Sequence, residues 1–280
     1  MKKIEYDTTY TLSQAVALMD LPVMAHPNET QQYPASIGQP EKYSWDLSAG
    51  FEGAREMLKS GWNDHPDLSP LAITGIKTER SDVTWNRDVS GEEVDIGCFL
   101  AGESDCYLEP RIEVVPGDSP IVWIVVNCAV SWQVSGDDIS RRGLAVMGLI
   151  EALESTGKSV GLIALASQHG GNRSDLSCAR VVIKEPFERV ITERVFFALA
   201  HPAFYRRIIF RLREMGDKDE QRKHGVGGNY GVPLDIPETD IPHGSVYVPI
   251  LKKGGPFSTS ELARDWLKSE LLKQNVTFAD

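Results

Sequence analysis

A continuous apolar segment in the middle of the chain constrains the fold most. Residues Ile121-Val122-Trp123-Ile124-Val125-Val126 have no polar position, which is typical of a strand covered on both faces of a sheet. A helical pattern follows, with Asp137 and Asp138 at its start and Gly157 at its end. Val160 to Ala166 is a second apolar strand. This order predicts a right-handed βαβ unit and therefore an α/β core.

The remaining periodic segments predict two more strands and four helices. The strand candidates are Val181 to Ile183 and Tyr247 to Leu251, and the helix candidates are Phe51 to Lys59, Thr192 to Ala200, Pro202 to Met215 and a final helix to about Lys273. Ser258 and Glu261 have the spacing of a capping box for that final helix. We therefore expect a mostly parallel Rossmann-like sheet flanked by helices, with an N-terminal arm and a C-terminal helix.

The ends of the chain predict appendages to one large domain. Within residues 1–45, Thr11 and Gln14 resemble a capping box for one helix, and a polar, proline-rich run from Met24 to Tyr43 reads as an extended arm. Because such an arm is suited to packing on a partner subunit, we expect a homo-oligomer. We place the α/β core domain at residues 46–273, with a long glycine-rich loop at 217–243, and a tail at 274–280.

Charge and cysteine content narrow the function classes. The 29 basic and 40 acidic side chains give a net charge of −11, which argues against a chain covered with nucleic-acid or anionic-membrane contacts. The apolar runs are far shorter than the roughly 20 residues that cross a bilayer, and no secretory signal is evident, so we expect no membrane association. Cysteines 98, 106, 128 and 178 form no CxxC pair, which favours reduced thiols in a cytoplasm over a disulfide between Cys98 and Cys106.

The turn after the first apolar strand lies where open α/β sheets bind ligands. Residues 119–185, including this turn and the helix after it, resemble a von Willebrand factor A core. The metal site of that family uses Asp-x-Ser-x-Ser, whereas the positions here are Asn127, Ala129 and Ser131. We therefore predict a structural turn with no metal and no cofactor. Because no catalytic constellation is assembled in the sequence, we also expect a protein that is not an enzyme.

A basic and aromatic stretch between His201 and His224 is the candidate binding site. It holds seven bases and four acids, a local charge of +3. Cations that follow phosphates and aromatic rings that stack on bases are what single-stranded DNA requires. The candidate residues are Arg206, Arg207, Arg211, Arg213, Arg222, Lys223, Tyr205 and Tyr230. The alternative is a helix with Phe204, Ile208 and Leu212 inside and its arginines solvated or paired.

Several short motifs together resemble an uncharacterised family of tailed-phage proteins. They are Gly50-Phe51-Glu52-Gly53-Ala54 with Gly61-Trp62, residues 88–95 with Phe99-Leu100-Ala101-Gly102, Arg141-Arg142-Gly143, and residues 200–210. Among phage proteins of this size and acidity, the chain is similar to the Drc-type single-stranded-DNA-binding RNA polymerase cofactors of podoviruses. This resemblance implies a transcription or replication cofactor in the host cytoplasm, with single-stranded DNA and a phage RNA polymerase as partners. The other hypothesis is a protein-interaction scaffold with a degenerate metal site, whose arm clasps another chain.

Overall fold

The structure is a computed structural model. It describes residues 4–21, 36–37, 50–67, 83–91, 93–112, 121–131, 133–171, 175–226 and 232–276. The strands are β1 Ile4–Thr11, β2 Val83–Asp88, β3 Glu93–Val94, β4 Tyr107–Ile112, β5 Ile121–Asn127, β6 Ser159–His169, β7 Leu176–Lys184 and β8 Val246–Val248. The helices are α1 Leu12–Met19, α2 Gly50–Ser60, α3 Ile96–Leu100, α4 Gly136–Ser155, α5 Thr192–Ala200, α6 Phe210–Glu214, α7 Lys218–Lys223 and α8 Ser260–Lys273.

Five strands form the main sheet, in the order β1-β7-β6-β5-β8. The pairs β1 with β7, β5 with β6 and β5 with β8 are parallel, whereas β6 and β7 are antiparallel. The sheet is flanked by helices, which confirms the predicted α/β class with a mostly parallel sheet. The βαβ prediction is also confirmed, because α4 connects the adjacent parallel strands β5 and β6.

Strand β5 is covered on both faces, as its unbroken apolar sequence predicts. Ile124 and Val126 belong to the main apolar core, which they share with residues of α4, α5 and α8. Val125 belongs to a second, smaller cluster on the opposite side, together with Leu165 and Ile236. The segment after residue 232 therefore closes the second face of the sheet.

Helix α4 packs closely against α5 because of one glycine. A Cβ placed on Gly143 would lie 2.7 Å from the Cα of Ala200, so no larger residue fits at this crossing. The helix begins at Ser135, whose side chain accepts a hydrogen bond from the Asp138 amide, and acids occupy its first turn as predicted. Gly61 follows α2 with a φ of +94°, the left-handed conformation that favours glycine at the end of a helix.

The N-terminal residues contribute to the main sheet, which the sequence analysis missed. Helix α1 and its capping box between Thr11 and Gln14 are confirmed. The preceding residues form β1, an edge strand that pairs with β7 and is joined to it by an ion pair of 2.9 Å between Asp7 and Arg180. Residues 4–11 are therefore a strand of the main sheet, and α1 packs Ala15 and Met19 into the main apolar core. The predicted arm lies outside the described residues except for Ser36 and Ile37.

A second sheet has the order β2-β4-β3 and carries the short helix α3. Cys98 of α3 and Cys106 form a disulfide, so the preference for reduced thiols at these two positions was wrong. Their separation of eight residues lets the chain turn back after α3 and bring the two thiols together. Cys128 and Cys178 are free and buried.

Two further expectations need correction. The predicted long loop at 217–243 begins with helix α7, which Asp217 caps in a capping box with Glu220. The final helix begins one residue later than predicted, because Thr259 is its N-cap in place of Ser258.

Candidate functional site

The carboxyl end of β5 is closed by hydrogen bonds within the protein. The Asn127 side chain is fully buried, and its Nδ2 donates to Ser167 Oγ at 2.7 Å, to the Leu234 carbonyl at 3.0 Å and to the Tyr247 hydroxyl at 3.1 Å. Its Oδ1 accepts from the Ala129 amide at 3.2 Å. The amide group therefore ties the turn to β6, β8 and the segment after residue 232.

Tyr247 extends this network toward solvent. Its hydroxyl donates to Asp235 Oδ1 at 3.0 Å and accepts from the Ile236 amide at 3.3 Å. Burial raises the pKa of the Tyr247 phenol well above its ordinary value. The ring therefore stays neutral and acts as a fixed hydrogen-bonding group.

A buried arginine completes this edge of the sheet. Arg142 of α4 donates from Nη1 to the Asn127 carbonyl at 2.9 Å and from Nη2 to the Leu199 carbonyl at 3.4 Å. Burial lowers the pKa of the Arg142 guanidinium and raises the pKa of the neighbouring Cys128 thiol to about 11. The thiol is therefore neutral, and the arginine is hydrogen-bonded to two backbone carbonyls.

These contacts agree with a structural turn at 127–131. In the part of the chain that the structure describes, no group of three or more His, Cys, Asp and Glu side chains could hold a metal ion. Among the same residues, no helix is long and apolar enough to cross a membrane.

The first part of the basic and aromatic stretch is buried. The residues from Phe204 to Glu214 fold into a π-helical turn, Phe204–Ile209, followed by α6. Each π turn contains one residue more than an α turn, so side chains after it point to a different face than α periodicity predicts. Tyr205, Arg207, Arg211 and Arg213 are all at most 5% exposed.

The buried arginines donate to backbone carbonyls. Arg213 bonds the Ala166 carbonyl at 2.6 Å, Arg207 bonds the Ser36 and Ile37 carbonyls at 3.0 and 2.7 Å, and Arg211 bonds the Leu21 carbonyl. These three arginines are buried, as in the alternative of a helix that packs internally and has its arginines paired. The physical reason is that a guanidinium can serve carbonyl oxygens distant in sequence while its stem packs in apolar surroundings.

The other candidate residues divide between the surface and the undescribed part of the chain. Arg206 is partly buried, with its guanidinium 5.3 Å from the centroid of the Tyr205 ring. Arg222 and Lys223 are exposed at the end of α7, and Lys223 lies 5.8 Å from the centroid of the Tyr6 ring. Tyr230 lies outside the described residues.

An exposed apolar surface on α3 was missed by the sequence analysis. Ile96, Phe99 and Leu100 are 70%, 62% and 80% exposed. Their spacing of three and four residues places them on one face of the helix. Just before the helix, Val94 lies directly across from Tyr107 in the second sheet, and both are exposed. We call these five residues the α3 surface.

The opposite side of α3 is attached to the second sheet. Cys98 is buried and disulfide-bonded, and Asp95 caps the helix by accepting from the Cys98 amide at 3.1 Å. Asp95 also pairs with Arg87 of β2 at 2.7 Å. Bonding to the Cys98 amide and then to Arg87 lowers the pKa of Asp95, so the cap stays ionised. The exposed apolar face is therefore held in a defined orientation.

A cleft of about 630 Å³ lies at the carboxyl ends of β1 and β7, between the starts of α1 and α5. Its buried lysine, Lys184, pairs with Glu154 at 2.8 Å and donates to the Val160 carbonyl at 2.7 Å. Because this cation is fully engaged within the protein, the cleft offers no buried charge to a ligand.

Comparison with protein-family models gives one match, to DUF7192, a domain of unknown function, over residues 19–273. Because this match spans most of the chain, the chain belongs to that family. The comparisons with curated proteins and with solved structures each gave no match.

Proposed function

We propose that this DUF7192 protein is a non-catalytic protein-interaction module and that the α3 surface is its docking face. The observation that carries the proposal is the exposure of Ile96, Phe99 and Leu100 on one side of a helix fixed by a disulfide. Grouped apolar side chains of this size are typical of surfaces that another protein covers.

The edge of the main sheet supports a scaffold role. At the place where related architectures bind ligands, Asn127, Arg142 and Tyr247 are engaged with other groups of this protein. Polar side chains that are hydrogen-bonded within the protein in this way stabilise the fold and are not available to bind a substrate. This is the behaviour expected of a scaffold with a degenerate metal site.

The experiment is a selection from a display library of random peptides. The variant Phe99→Ser/Leu100→Ser removes the apolar face, and Phe187→Ser is the matched control because Phe187 is 79% exposed elsewhere. We expect enriched peptides that bind the native protein and the control but not the double variant. The proposal fails if no enriched peptide distinguishes the control from the double variant.

Binding to single-stranded DNA is the second candidate function. It is favoured by Lys223, whose ammonium lies 5.8 Å from the centroid of the Tyr6 ring, and by the exposed Arg222 next to it in the sequence. Under this proposal the protein is a phage transcription or replication cofactor in the host cytoplasm, with a phage RNA polymerase as protein partner.

Fluorescence polarisation with a labelled single-stranded oligonucleotide at two salt concentrations tests this candidate. The variant Arg222→Ala/Lys223→Ala is compared with Lys252→Ala/Lys253→Ala, an equally charged exposed pair elsewhere. The DNA proposal predicts salt-sensitive binding that only the first variant weakens, by about tenfold for two lost phosphate contacts. Equal binding by both variants would exclude these residues from a DNA site.

A further inference from the structure

We propose that the α3 surface recognises a basic amphipathic segment of a partner protein. This inference rests on the proposed docking function and specifies the partner by its chemistry. It follows from the combination of the exposed apolar face with the charge of the residues around it.

The sequence segment that contains the second sheet and α3 is strongly acidic. Residues 83–112 contain seven acids and two bases, a net charge of −5 within a chain of net charge −11. The acids are Asp88, Glu92, Glu93, Asp95, Glu103, Asp105 and Glu109, and the bases are Arg87 and Arg111. The apolar face therefore lies within a segment whose sequence is net acidic.

Acidic side chains adjoin the apolar face at both ends of α3. Asp95 precedes Ile96 directly, and Glu103 and Asp105 follow Leu100 within five residues. Glu103 is 55% exposed, and Asp105 is also exposed. Arg87 lies between Asp95, at 2.7 Å, and Glu103, at 3.6 Å, and offsets only part of this charge.

This charge selects among the classes of partner. Nucleic acids and anionic lipid surfaces have the same sign of charge as Asp95, Glu103 and Asp105 beside the apolar face, and so does the same surface of a second copy. A protein segment with apolar anchors on one side and Lys or Arg on the other satisfies both parts of the surface. A helix that places apolar residues at i, i+3, i+4 and i+7 has this geometry.

The test uses three synthetic peptides and the native protein. The first is an 18-residue amphipathic peptide of leucine and lysine in helical register, the second has glutamate at every lysine position, and the third is a scramble of the first. Affinities are measured by fluorescence polarisation at low and moderate salt. We expect the first peptide to bind at least tenfold more tightly than the other two, and more weakly as salt increases.

Matched variants separate the apolar from the electrostatic contribution. Phe99→Ser is expected to weaken binding of the basic peptide at least tenfold, whereas Phe187→Ser has no effect. Glu103→Gln/Asp105→Asn is expected to weaken it severalfold, whereas Glu56→Gln/Asp265→Asn, which removes the same charge from exposed positions on other helices, leaves it unchanged.

The outcomes distinguish this inference from the function on which it rests. If the glutamate peptide binds as tightly as the lysine peptide and both need Phe99, the surface docks proteins but the basic partner is wrong. If the protein self-associates and Phe99→Ser makes it monomeric, the occupant is a second copy and the inference is overturned. If no peptide depends on Phe99, both the inference and the docking function fail.

Discussion

The guanidinium of Arg142 donates a hydrogen bond of 2.9 Å to the backbone carbonyl of Asn127, where strand β5 ends. Arg142 is only 2% exposed, and its second bond goes to the Leu199 carbonyl in α5. One side chain of α4 thus joins the first turn after the strand to the neighbouring helix. Arg142 therefore fixes the position of this turn relative to α5.

Replacing Arg142 by methionine should destabilise the protein. Methionine fills similar volume but leaves the two carbonyls without donors, and we expect a loss of roughly 2 to 4 kcal/mol in the free energy of unfolding. Urea denaturation followed by circular dichroism measures this loss. Arg222→Met is the control, since Arg222 is exposed and pairs only with Asp219 within its own helix, and it should change stability by less than about 0.5 kcal/mol. Equal midpoints for the two variants would contradict the structural role of Arg142.

A comparison of Arg213 with Arg222 shows how much of the structure the sequence can predict. The strands β5 and β6 and helix α4 were predictable because their signals are local: an unbroken apolar run, a helical period and acids at a helix start. The burial of Arg213 was not predictable, because its acceptor, the Ala166 carbonyl, lies 47 residues away in the chain. Arg213 and Arg222 belong to the same basic and aromatic stretch, although Arg213 lies in the core and Arg222 is exposed to solvent.

Strand β1 and the α3 surface were missed for different reasons. The residues of β1 alternate between half-buried and exposed positions, a period-two signal that was present in the sequence and that indicates an edge strand. On α3, the spacing of Ile96, Phe99 and Leu100 predicts a buried face, because sequence alone does not say whether the cover comes from the same chain. Only the exposure of these side chains identifies the surface.

His224 should make stability depend on pH. Its ring is mostly buried and hydrogen-bonded through Nδ1 to Ser177 Oγ at 2.7 Å. Burial, with smaller contributions from Arg213 and Lys223, lowers the pKa of His224 to about 4. The unfolded chain binds a proton near pH 6.5 and the folded chain does not, so stability is fully present above pH 6.5 and falls as pH falls toward 4.

Between pH 7 and pH 5 we expect His224 to account for a loss of roughly 1 to 2 kcal/mol in the free energy of unfolding. His224→Gln removes the titrating group, so its stability should fall less than that of the native protein over the same range. The comparison is made by urea denaturation at each pH, and the difference between the two proteins removes the contribution of the carboxylates. Parallel pH curves for the two proteins would show that His224 titrates normally in the folded state.

The disulfide between Cys98 and Cys106 should control the order of the α3 surface. Closing a loop of eight residues lowers the entropy of the unfolded segment, which stabilises the folded segment by about 2.5 kcal/mol. The variant Cys98→Ala/Cys106→Ala should therefore show faster amide hydrogen exchange in residues 93–112, while β5 and β6 exchange as before. A reducing agent should reproduce this effect in the native protein and add nothing to the variant. Unchanged exchange in both cases would mean that the second sheet holds α3 without the disulfide.

Introducing a carboxylate and a hydroxyl group into the turn after β5 should not create a metal site. In Asn127→Asp/Ala129→Ser the residues at 127, 129 and 131 would be Asp, Ser and Ser, which is the Asp-x-Ser-x-Ser pattern of a von Willebrand factor A metal site. The new carboxylate would face the Leu234 carbonyl, to which the Asn127 amide now donates at 3.0 Å, and it cannot donate in turn. We expect a loss of roughly 2 kcal/mol in stability and no shift of the melting temperature on adding millimolar Mg²⁺ or Mn²⁺. Ala129→Ser alone serves as the control for added bulk.

Stabilisation of the double variant by either cation would instead mean that the turn has the geometry of a metal site and lacks only the ligands. Absence of such stabilisation would mean that the ligand types alone do not make a metal site, which agrees with the hydrogen bonds that hold the residue 127 side chain against Leu234 and Tyr247.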